Sequence, residues 1–88
     1  MDNKNSSDHS RYNELLAHIK HGREIEFLYQ GQEYFISKSI EGRALWNGKT
    51  QLSQIYKDDD DALNFIEVNG KKLKDLFKES KVVIQTIF

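Results

Sequence analysis

Residues 24–46, EIEFLYQGQEYFISKSIEGRALW, constrain the fold of this chain more than any other stretch. Ile25, Phe27 and Tyr29 alternate with Glu24, Glu26 and Leu28, the period of two that belongs to a half-buried strand. Gln30-Gly31-Gln32 forms a tight hairpin turn, and 33–38 is the return strand, with Tyr34 and Ile36 alternating with Phe35 and Ser37. Glu41-Gly42 makes a second turn, and 43–46 is a third strand with Ala44 and Trp46 on one side. Asn47-Gly48 carries the type I′ hairpin signal and leads into a weaker fourth strand within 50–56. Strands joined this way form an antiparallel meander, whose buried face needs a covering layer.

Helices supply that layer. Tyr12, Leu15, Leu16 and Ile19 recur at i, i+3, i+4 and i+7, one apolar stripe on a helix capped by Asp8 or Ser10 and stopped at Gly22. The polar residues 1–9 are expected to be a flexible tail ahead of a single domain over 10–88. The aspartates 58–61 suit the positive end of a short helix over about 59–66. Val68-Asn69-Gly70 is a turn, and a further helix over about 71–79 has Leu73, Leu76 and Phe77 on its apolar edge, with Asp75 one turn from Lys71 and Lys78. The β-branched run 82–88 is a closing strand. The fold class expected is therefore α+β. It has a four- to five-stranded antiparallel sheet with helices packed on one face, in the order α-β-β-β-β-α-α-β.

Composition narrows the function classes. At 88 residues the chain is one domain, and an aromatic content of 11% is enough for a packed core. It contains no cysteine, which excludes disulfides, Cys-based zinc sites and thiol catalysis and favours a reducing cytoplasm. The opening MDNKNSSDHS has no apolar core of a signal peptide, and no apolar run is long enough for a membrane span. A net charge of −1 gives no global attraction to polyanions.

Sites for chemistry are few. His18 and His21 are three apart, but two imidazoles do not make a zinc site, and His9 falls in the expected tail. Read as an EF-hand loop from Asp58, the acidic run fails at Ala62 and Leu63, where a ligand and a glycine are required. No G-x-S-x-G, G-x-x-x-x-G-K or G-x-G-x-x-G occurs. The expectation is no catalytic residue, no metal and no cofactor. Lys71, Lys74 and Lys78, with Lys72 and Lys81, form a basic helix that could hold a polyanion such as nucleic acid, although Asp75 and Glu79 interrupt it.

The aromatics offer the stronger signal. Tyr29, Tyr34, Phe35 and Trp46 lie on strands, and helices cover only one face. Either Phe35, Leu28 and Leu45 or Tyr34, Ile36 and Trp46 then point away from the helices. Exposed aromatics of this kind anchor protein interfaces. The basic rim and the RNP1 string of a single-strand binder are absent. Phe35, Trp46, Tyr34 and Tyr29 are the candidate partner-binding residues, and the partner is another protein or a second copy joined through a strand edge.

Residues 19–36, with Gly22, Glu24-Ile25-Glu26-Phe27, Tyr29-x-Gly31 and Tyr34-x-Ile36, and the segment Val68-Asn69-Gly70-Lys71-x-Leu73-Lys74-x-Leu76 resemble a group of short, uncharacterised single-domain proteins from Gram-positive bacteria and their mobile elements. The resemblance implies a compact bacterial cytoplasmic domain and brings no catalytic residues with it.

Overall fold

The structure, a computed structural model, describes residues 3–79 and 81–88, with helical backbone alone for 3–11. Along the chain run α1 (Asn3–Lys20), β1 (Ile25–Tyr29), β2 (Gln32–Ile36), β3 (Leu45–Asn47), β4 (Thr50–Gln51), α2 (Asp59–Phe65), β5 (Glu67–Val68), β6 (Lys71–Lys72), α3 (Leu73–Lys78) and β7 (Val83–Ile87). The main sheet is antiparallel and has the order β4-β3-β2-β1-β7. The closing strand therefore docks beside the first, and β1 becomes an interior strand. This is the α+β order expected, with one addition. β5 and β6 form a small separate hairpin, so the helix expected over 71–79 begins only at Leu73. Asn69 and Gly70 both have positive φ, 53° and 84°, which sets Val68 opposite Lys71. That is the type I′ pattern. At 47–48 the same dipeptide behaves differently. Asn47 ends β3 paired with Thr50, leaving Gly48-Lys49 as the loop with positive φ at Gly48 alone.

One face of the sheet is the core. Ile25 lies opposite Ile36, Phe27 opposite Tyr34 and Leu45 beside Ile36, all buried. Leu15 and Ile19 of α1, Leu63 of α2, and Leu73, Leu76 and Phe77 of α3 cover them. Phe27 is central, with the Tyr34 ring stacked at 5.4 Å and the Phe77 ring edge-on at 5.2 Å. Ile84 and Ile87 extend the same layer from β7. Among the described residues, no helix is long and apolar enough to cross a membrane.

α1 begins at Asn3, so Asp8 and Ser10 lie within it and do not cap it, and helical backbone takes in residues 3–9 of the stretch expected as a tail, residues 1 and 2 lying outside the described ones. No glycine or proline interrupts residues 3–20, so nothing in the backbone chemistry stops the helix there. At its other end Gly22 N–H bonds to Ile19 O and Arg23 N–H to His18 O, the paired bonds of a Schellman stop.

Arg43 ties the layers together. It is fully buried, although the sequence marked it only as a strand residue. Its Nε donates to Asp59 Oδ1 at 2.7 Å, Nη1 to Arg23 O at 2.8 Å and Nη2 to Ile19 O at 3.0 Å. One side chain thus holds the last turn of α1, the lead into β1 and the first turn of α2. Asp58 occupies the N-cap position of α2 without a side-chain cap bond, and Asp59 pairs with the guanidinium instead. Arg43 also exchanges two backbone bonds of 2.8 Å with Tyr56. That bridge splits the third strand expected over 43–46, so β3 starts at Leu45. The fourth strand is short for a related reason. Ser53 Oγ accepts the Leu45 N–H, and the backbone ladder ends there.

Replacing Arg43 with Met removes its bonds to the Arg23 and Ile19 carbonyls and its ion pair with Asp59, and is expected to lower stability by about 3 kcal/mol. Arg43→Lys recovers little of it, because an ammonium cannot present the planar fork. Urea unfolding followed by circular dichroism checks both. Gly42→Ala is also expected to be strongly destabilising. Gly42 has φ of 134°, and an added Cβ would sit 2.6 Å from the Tyr56 carbonyl carbon and 2.8 Å from Lys57 Cα. Backbone strain alone costs about 1–3 kcal/mol there.

Candidate interaction surface on the outer sheet face

Alternation fixes which side chains leave the core. With Ile25, Phe27 and Tyr29 inward, Glu26 and Leu28 of β1 point outward. Register carries that parity across the sheet. Glu26 faces Phe35, Phe35 faces Trp46, and Trp46 faces Gln51. Phe35 and Trp46 are thus neighbours on the outer face, both half-buried. The indole is aimed by a short relay, Trp46 Nε1 donating to Ser37 Oγ at 3.0 Å and that hydroxyl donating to Ala44 O at 3.3 Å. On its other side Phe35 meets Phe88 edge-on at 5.8 Å between ring centres. Phe88 is held by its N–H bond to Glu24 O at 2.9 Å and remains 59% exposed.

Beside this row lies a hollow of about 420 Å³. Phe35, Trp46 and Ile55 supply apolar lining, Ser39 and Gly42 form the loop side, and Glu24 and Lys38 contribute one charge of each sign. Glu24 Oε2 accepts the Lys38 N–H at 3.0 Å, which fixes the carboxylate at the hollow.

Two of the four candidate aromatics are therefore placed together, and two are not. Tyr34 and Tyr29 are 7% and 3% exposed and lie on the inner face, so they are core residues and not contact residues. The reason is the Phe27–Tyr34 pairing, which puts Tyr34 under the helices. The groupings expected from sequence also change. Leu45 is inside opposite Ile36, and Trp46 joins Phe35 and Leu28 outside. The chain crosses from β2 to β3 through the Ser39–Gly42 turn and the Arg43 bridge, and counting residues through such a segment does not preserve parity. Ile40, Ile55 and Phe88 were missed. Ile40 is 99% exposed at the tip of that turn. A lone aliphatic between Ser39 and Glu41-Gly42 was the available signal.

The lysines of α3 and its approach do not form one open cationic face. Lys71 Nζ lies 2.9 Å from both carboxylate oxygens of Glu79, and not against Asp75. Lys78 Nζ stands over the Tyr12 ring at 5.2 Å, and Lys74 is half-buried. Asp75 and Glu79 share the shallow depression lined by Lys71, Lys72 and Lys78. The Tyr12 phenol is pushed up by burial, and further by the charges of Asp60 and Asp75. His21 Nδ1 donates to Ala17 O at 2.7 Å, and His18 Nε2 lies 3.9 Å from Glu14. His9 has its side chain outside the described residues. Among the described residues, no three His, Asp or Glu side chains are gathered as a metal would require.

Comparison of the chain with protein-family models, with curated proteins and with solved structures finds no match in any of the three.

The hydrogen bond from Lys71 holds the Glu79 carboxyl below its ordinary value of 4.5 and raises Lys71 above 10.5. The stabilisation from Glu79 is complete above its unfolded value and is lost as pH falls through the lowered one; that from Lys71 is lost as pH rises through its raised value. Carbon-detected NMR titration is expected to place the Glu79 midpoint below that of an unpaired glutamate. Lys71→Met should return it to the ordinary range.

Proposed function

We propose that this chain is a non-enzymatic protein-binding module, acting in a bacterial cytoplasm through the outer face of its sheet. The observation that carries this reading is the aromatic row Trp46–Phe35–Phe88 beside an apolar hollow, on the face the helices leave uncovered. Half-buried aromatics that are already oriented lose little conformational freedom on contact, which is how interface anchors gain affinity. The indole is positioned by Ser37, and Phe35 packs edge-on against Phe88 and lies opposite Trp46 in the strand register.

The face is favoured over the sheet edges as the working surface. β4 offers only two residues, and β7 carries an irregularity opposite Glu26 and Phe27 that leaves Gln85 out of register. Short edge strands and bulges are devices that hinder strand addition. The polyanion alternative loses support from geometry, since Lys71 is committed to Glu79 and Asp75 lies among the remaining lysines.

Capture from bacterial extract on immobilised chain tests the reading. Wild type is expected to retain a defined protein, Phe35→Ser to lose it by at least about tenfold, and Lys71→Glu to keep it. Equal retention by the Phe35 variant would sink the proposal. Retention of nucleic acid that disappears with the Lys71 change would favour the polyanion alternative instead.

A further inference from the structure

We infer that the outer face recognises a second copy of this chain, with Ile40 of each copy seated in the hollow of the other. The inference rests on the protein-binding reading and names its partner. Ile40 is the most exposed apolar residue described, at 99%, and the turn that displays it is closed by hydrogen bonds. Ser39 and Gly42 exchange backbone bonds of 2.9 and 3.1 Å. Ser39 Oγ donates to Gly42 O at 3.3 Å and accepts the Glu41 N–H at 3.2 Å. The turn is in turn backed by the Arg43–Tyr56 bridge. A fixed aliphatic tip held in water at this cost suits an inserted knob.

The matching hole is adjacent. Ser39 and Gly42, the two ends of the turn that carries Ile40, themselves line the hollow walled by Phe35, Trp46 and Ile55. Knob and hole on one surface, a few residues apart, are the condition for an isologous interface. A two-fold axis passing between them carries each knob onto the other hole. Charge selects the same partner. One acidic residue, Glu24, and one basic residue, Lys38, whose Nζ lies 3.9 Å from Asp59 Oδ1, line the hollow, so the lining has no net charge to repel a second copy and is poorly matched to a strongly basic or acidic protein. With Ile40 inserted, the apolar exposure of Ile55, 42%, is covered as well.

Sedimentation velocity and the emission of Trp46, the only tryptophan, test this on the whole chain. From about 10 μM to about 1 mM, the range expected of a small interface, wild type should rise from the 10.3 kDa monomer towards twice that mass while Trp46 emission moves to the blue. Ile40→Asp should stay monomeric with an unchanged urea midpoint, since Ile40 makes no core contact. The absence of native cysteine permits a placement test. A mixture of Ile40→Cys and Ile55→Cys chains should form the mixed disulfide in preference to Ile40→Cys with Val83→Cys. A wild type that remains monomeric, an Ile40→Asp chain that dimerises like wild type, or equal disulfide yields would each overturn the inference. A monomeric wild type that still captures a different protein through Phe35 would leave the broader reading standing and remove this one.

Discussion

A single buried guanidinium makes the two layers one structure. Helices of six and seven residues, such as α3 and α2, are too short to persist without tertiary contacts. α2 begins where it does because Asp59 reaches Arg43, and the exit of α1 is tied to the same residue because two carbonyls there accept from the same fork. No buried side-chain nitrogen or oxygen among the described residues lacks a hydrogen bond, so the charge is housed without an unsatisfied partner. The core above it is then free to be wholly apolar. The same anchor fixes the turn that carries Ile40, because Gly42 and Arg43 are consecutive and both abut Tyr56.

What could be read from the residues follows from the range of the forces involved. Period-two alternation is local, and it found β1 and β2, while the β-branched composition of 82–88, also local, marked the closing strand. The stop at Gly22 was equally local. The hairpin β5–β6 escaped because its strands have two residues each, too few for alternation to show. Arg43 escaped because its partners lie 16 to 24 residues away along the chain, and no pattern within a window of sequence can show them. The candidate surface was legible in half. The presence of large side chains on both faces was evident from 24–46, but pairing Phe35 with Trp46 required the register across an irregular loop.

The two faces of the sheet illustrate how one alternating pattern yields two chemistries. Inside, Tyr34 and Tyr29 serve as packing groups. Outside, Phe35 and Trp46 share their rows with Glu26 and Gln51, so the apolar area is broken into a patch and is not continuous. An uninterrupted apolar face would invite unspecific association, whereas a bounded patch with charged neighbours restricts which surfaces can approach.

The position of β7 has a kinetic consequence. β1 pairs on one side with β2, a neighbour reached through a two-residue loop, and on the other with residues nearly at the end of the chain, Ile25 lying against Ile87. The first pairing closes a small loop and the second a large one, so they are separated in time by their loop-closure entropies. A β1–β2 hairpin therefore forms early with one side of β1 unpaired, and the sheet is sealed only when 83–87 dock. The interior strand of the finished fold is, during folding, its most vulnerable edge.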